Sequence, residues 1–165
     1  MSKNAANSQS SLVIGYGNEW RGDDGLGPAV AREVERLGLP GVRVLTTHQL
    51  LPELAEELSH FERVVFIDAR IDDSTAPVTV ERLSAVGGPL PITHHCHPQF
   101  LLGMTAAAFE HAPLAWLVSV QGEQFDLGET LSVVAMGRLA DGVRLVAELL
   151  NPPEQTSVGK VTGGY

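Results

Sequence analysis

Between residues 11 and 150 the chain alternates short apolar runs with segments whose apolar positions recur at helical spacing. Leu12-Val13-Ile14 predicts a buried strand that opens into a glycine-rich turn. From Gly25 to Leu37 the period is helical, with Val30, Val34 and Leu37 on one face and Arg32, Glu33, Glu35 and Arg36 mostly on the other. Pro28 suits a first turn, Asp23 or Asp24 is placed to cap it, and Gly38 is placed to end it. A strand over 42–46 and a helix over 52–59 follow. Val64-Val65-Phe66-Ile67 is β-branched and continuous, as a strand covered on both faces should be, and it is expected to end at Asp68. Val78 to Leu83 alternates and predicts another strand. The link before it, 69–77, is shorter than a parallel crossover needs, so this strand should run against its predecessor. A helix over 98–110, a strand over 115–120 and a helix from about Leu131 to Leu150 complete the pattern, the last with a stripe of Ala135, Leu139, Val143, Val146 and Leu150.

This order predicts an α/β fold, a mostly parallel sheet with helices on both faces. Ligands on such sheets bind outside the carboxyl ends of the strands. The turn after Ile14, Asp68 and the loop after Val120 all fall there, and the His-rich segment at 93–97 precedes a helix that can return it to the same rim. Residues 1–10 read as a disordered lead-in and 151–165 as a flexible tail, leaving a single domain over 11–150.

Composition narrows the class. With 165 residues, 44% hydrophobic and 19% charged, the chain can build a core without disulfides or a structural metal. Its formal charge of -9 argues against unaided binding to nucleic acid or an anionic membrane. Cys96 is the single cysteine, which excludes an intramolecular disulfide. The polar first ten residues lack the apolar core of a signal peptide, and no apolar stretch reaches the ~18 residues of a membrane span, so a cytoplasmic location is expected.

The candidate chemistry is concentrated in few places. The turn Gly15-Tyr16-Gly17-Asn18-Glu19-Trp20 fails the dinucleotide fingerprint because Trp20 stands where a glycine is required, and no phosphate-binding P-loop occurs. Asp23 and Asp24 either cap the following helix or supply chemistry; one cap needs only one acid. Asp68, at the end of an apolar run, must find partners or water. Thr93-His94-His95-Cys96-His97 offers imidazole and thiolate ligands for nickel, copper or zinc, but the spacing is not that of a closed zinc site. One histidine joined by carboxylates from elsewhere would give a mixed site with open positions. His48, His60 and His111 stand alone and are expected to be ordinary. No nucleophile elbow is present, and a cysteine hydrolase is disfavoured. Phe125 in the loop 121–126 is a candidate exposed contact.

Four segments in this order, GYGNEWRGDDGLG, VVFIDAR, THHCHPQFLLGM and LVSVQGEQFDLGETLS, resemble the hydrogenase maturation endopeptidases, which process the large-subunit precursor of nickel–iron hydrogenases. The resemblance spans roughly residues 11–150. It implies a three-layer α/β/α sandwich around a five-stranded, mostly parallel sheet with one antiparallel strand. It also implies an aspartyl-type peptidase that removes a short C-terminal peptide once nickel has been inserted. Asp24, Asp68 and His94 are implied as both metal ligands and catalytic residues, with His95 a rival to His94. The nickel would be supplied by the precursor. Relatives usually carry an apolar pair where this chain has Glu19-Trp20, which puts another carboxylate near the expected site. A non-catalytic nickel-sensing or nickel-delivery module is the alternative reading of the same ligands.

Overall fold

The computed structural model describes residues 10–88 and 96–151. His94, His95 and nearly all of the expected lead-in and tail lie outside the described residues. The elements are β1 (Ser11–Tyr16), α1 (Leu26–Arg36), β2 (Val42–Thr47), α2 (Leu54–Ser59), β3 (Arg63–Arg70), β4 (Val78–Leu83), α3 (Pro98–Phe109), β5 (Leu114–Gln121) and α4 (Val133–Leu150). A 3-10 turn at Gly22–Gly25 precedes α1.

The sheet has the order β2-β1-β3-β5-β4, with β4 antiparallel to β5 and the other pairs parallel. β4 runs against its predecessor, as its short link requires, but β5 lies between it and β3. Side chains alternate across this sheet. Val13, Val65, Ile67, Val118 and Val120 face α1 and α4, while Leu12, Ile14, Val64 and Phe66 face α2 and α3. The continuous apolar strands therefore feed two cores, and the fold is the expected α/β/α sandwich. Ala135, Val146 and Leu150 of the α4 stripe are buried, and Leu139 and Val143 pack against them.

Several boundaries differ from expectation. Neither Asp23 nor Asp24 caps α1: both lie within the 3-10 turn, and Gly25 is the N-cap without a side-chain bond. Leu37 is 51% exposed rather than in the core. It is the C-cap of α1, past the last helical residue, so helical periodicity no longer aims it at the sheet. β3 continues to Arg70, which leaves Asp68 inside the ladder opposite Ser119. Ser10, expected in the lead-in, accepts backbone bonds from Glu62 and Arg63. Among the described residues no helix is long and apolar enough to cross a membrane.

Candidate active site

The turn after β1 is shaped by close backbone contacts. A Cβ on Gly27 would lie 2.4 Å from the Tyr16 carbonyl oxygen and 2.5 Å from that of Ile67, so the start of α1 rests directly on β1 and β3. Gly17 has φ +146°, and a Cβ there would lie 2.0 Å from the Asp24 carbonyl oxygen. Only glycine fits this position. The turn thereby folds back on itself, and Asp24 Oδ2 accepts a 2.8 Å hydrogen bond from the Asn18 N–H.

Asp68 reaches the same place by strand parity. Residues 64, 66 and 68 of β3 share a face with residues 12, 14 and 16 of the neighbouring β1, so Tyr16 comes beside Asp68. The Tyr16 hydroxyl donates to the Asp68 carboxylate. Burial pushes the Asp68 carboxyl up to about 6, and the charge of Asp24 adds to the rise. The hydrogen bonds from Tyr16 and from the Ala69 N–H pull the other way without cancelling it. Burial, with the nearby Asp68 charge, also drives the Tyr16 phenol well above its ordinary value, so it stays a hydrogen-bond donor.

Asp24 and Asp68 line one cleft of about 440 Å³ at the carboxyl rim of β1, β2 and β3. Asn18, Arg21, His48 and Cys96 line it too. His48, expected to be ordinary, is thus a site residue. Its position just past the carboxyl end of β2 was the available signal. Among the described residues no group of three His, Cys, Asp or Glu side chains is placed to hold a metal. The expected third ligand, His94, lies outside the described residues. The two carboxylates fit a cation nonetheless: they are hard oxygen donors in one cleft, and the charge of Asp24 adds to the cost of ionising Asp68. Cys96 is not a primed nucleophile, because burial raises its thiol pKa. His97 caps α3, its Nδ1 accepting from the Gln99 N–H at 3.4 Å.

The acidic pair divides its labour. Asp23 is fully buried, at 0% exposure, and unlike Asp24 it does not line the cleft. Its Oδ2 accepts from the N–H groups of Glu123 (2.8 Å) and Gln124 (2.9 Å) and from the Ser132 hydroxyl (2.8 Å), and its Oδ1 accepts from the Ser132 N–H (2.7 Å). Burial opposes ionisation, but these bonds outweigh it and hold the carboxyl below its ordinary value. Ser132 is in turn the N-cap of α4. Asp23 therefore pins the loop after β5 and the start of α4 to the turn that presents Asp24. Two residues of this region that the sequence leaves open take definite places. Phe125 is half-buried: its ring packs over Gly122, where a Cβ would lie 2.8 Å from it. Glu19 pairs with Arg32 on α1 and does not line the cleft.

No protein-family model matches the chain, and no curated protein matches it by sequence. Solved structures do match its fold. The [NiFe] hydrogenase maturation protease HybD from Thermococcus kodakarensis aligns with a TM-score of 0.66 at 21% identity, covering 86% of this chain and 99% of that one. The hydrogenase maturating endopeptidase HybD from E. coli gives 0.65 at 20% identity, covering 86% and 91%. The [NiFe] hydrogenase maturation protease HycI from Thermococcus kodakarensis gives 0.67 at 21% identity, covering 86% and 92%. The architecture is common to all of them.

Proposed function

We propose that this chain is an endopeptidase that removes a short C-terminal peptide from a nickel-loaded large-subunit precursor of a nickel–iron hydrogenase. The observation that carries the reading is the meeting of Asp24 and Asp68 in one rim cleft, in a fold common to structures named as maturation proteases. The four sequence segments that resemble that family support it independently. Cys96, which follows His94 and His95 in the chain, lines the cleft, which supports a third ligand from that pair, His94 or its rival His95.

In this reading the nickel belongs to the substrate. Asp24 and Asp68 offer carboxylate oxygens to it and His94 an imidazole nitrogen. Three protein ligands leave open positions, as suits a metal already held by another protein. The peptide bond breaks by addition of water to the scissile carbonyl carbon, loss of the C–N bond and proton transfer to the leaving amine. Asp68, whose carboxyl burial raises to about 6 in the metal-free protein, is the carboxylate suited to take and return that proton through the oxygen that the metal would leave free. The Tyr16 hydroxyl fixes its orientation.

The test is a mass spectrum of nickel-loaded precursor before and after addition of this protein, with apo precursor and an Asp68→Ala variant alongside. Loss of one C-terminal peptide, dependent on both nickel and Asp68, is the expected result. An unchanged mass for a competent precursor would refute the peptidase and favour the nickel-sensing or nickel-delivery module.

A further inference from the structure

We infer that the turn at 18–21 and the loop at 123–129 form a preformed docking platform for a basic, apolar segment of the precursor, next to the cleft. The inference rests on the maturation-peptidase reading and deepens it by naming where and by what chemistry the substrate protein is recognised.

Leu127 is 89% exposed and Trp20 64% exposed, and they face water from the two paired segments of the platform. They belong to segments joined by backbone pairing. The Gly128 N–H donates to the Trp20 carbonyl at 2.9 Å, and the Gly22 N–H donates to the Gly128 carbonyl at 2.7 Å. The Asp23 N–H donates to the Gln124 carbonyl at 2.8 Å, and the Asp23 carboxylate binds the N–H groups of Glu123 and Gln124. Arg21 Nε donates to the Phe125 carbonyl at 3.3 Å. A loop so anchored has met its ordering cost during folding, so a partner need not supply it on binding. Holding a Trp and a Leu in water on a rigid support has no benefit to the isolated fold. It is the arrangement of an interface anchor.

Charge selects the occupant. Glu123, Asp126 and Glu129 are exposed around Leu127, residues 122–130 contain no basic side chain, and none of the three acids is ion-paired among the described residues. A second copy of this chain would bring these acids against one another, whereas a segment bearing Lys or Arg beside an apolar residue is complementary. The platform is also continuous with the cleft, because Arg21 both lines the cleft and holds the loop through Phe125.

The experiment is steady-state cleavage of the cognate nickel-loaded precursor by the full-length protein. Wild type is compared with Leu127→Ser, with the triple change Glu123→Gln, Asp126→Asn and Glu129→Gln, and with Leu37→Ser, an exposed leucine at the far end of α1. Leu127→Ser should raise KM about tenfold with kcat nearly preserved, and Leu127→Met should restore most of the loss. The triple variant should lower kcat/KM about tenfold at low salt and flatten its salt dependence. Leu37→Ser should behave as wild type. Unchanged KM in both platform variants would overturn the inference, as would a loss confined to kcat. Sedimentation showing that Leu127→Ser converts a dimer to a monomer would overturn it in favour of a second copy. Should wild type fail to cleave a competent precursor, the peptidase reading falls. The platform is then judged by calorimetric binding of the precursor to the same proteins, weaker binding by the variants supporting it and equal binding refuting it.

Discussion

Asp68 is expected to cost the folded protein stability at neutral pH, and removing its charge should return it. An unfolded aspartate titrates near 3.8, and burial holds this one at about 6. At ~1.4 kcal/mol per pH unit, that separation is about 3 kcal/mol against keeping the carboxylate ionised in the fold. The native state binds this proton more tightly than the unfolded chain does. The Asp68 contribution is therefore full below about pH 4, declines as pH rises toward 6 and is absent above. Asp68→Asn keeps the shape and an acceptor for the Tyr16 hydroxyl but never ionises. In the metal-free protein the variant should match wild type near pH 3.5 and exceed it by ~2–3 kcal/mol at pH 8. For a domain of this size that is a rise in Tm of roughly 5–10 °C. Urea unfolding of both proteins across this pH range reads the difference directly. A variant that is less stable at pH 8, or a difference that does not change with pH, would refute the reasoning. The same variant should not process precursor, which would make Asp68 a residue held at the expense of stability.

The buried Asp23 should behave oppositely. Asp23→Ala removes the acceptor for four hydrogen bonds and should destabilise the fold by ~3–5 kcal/mol in denaturant unfolding, whereas Asp24→Ala should change stability by less than ~1 kcal/mol and abolish processing. Because the Asp23 carboxyl is held below its ordinary value, its contribution is present above about pH 4 and is lost on further acidification; an Asp23→Asn variant should lack that acid limb in a stability profile. Gly17→Ala forces a Cβ against the Asp24 carbonyl at an unfavourable φ, and should cost more than ~1 kcal/mol and displace Asp24, seen as lost processing with helix content retained by circular dichroism. Ser132→Ala removes both the α4 cap and one Asp23 bond, and should lower stability by ~1–2 kcal/mol in thermal unfolding.

The periodicities of this chain determine its elements and its fold class, because a continuous β-branched run such as 64–67 and an amphipathic stripe such as Ala135 to Leu150 can each be buried in few ways. The short link over 69–77 likewise settles the direction of β4, since a parallel return needs more chain than it contains. The carboxyl-rim rule points to the turn that carries Asp23 and Asp24 and to Asp68 without any coordinates, and the family resemblance singles out Asp24 of the pair. What sequence does not encode locally is which residues meet across long separations. Asp23 and Asp24 are adjacent and chemically identical, yet one is a buried strut and the other faces the cleft. The difference lies in Ser132, 109 positions away, and in the loop 123–124 that closes over the turn. Tyr16 reaches Asp68, and tempers the rise that burial imposes on its carboxyl, only because parallel register and strand parity put them on one face. His48 joins the site, Phe125 half-buries its ring and Leu127 stays in solvent for the same reason: each depends on how loops from separate crossovers stack at the rim, where burial and hydrogen bonding are decided by contacts between segments rather than within them.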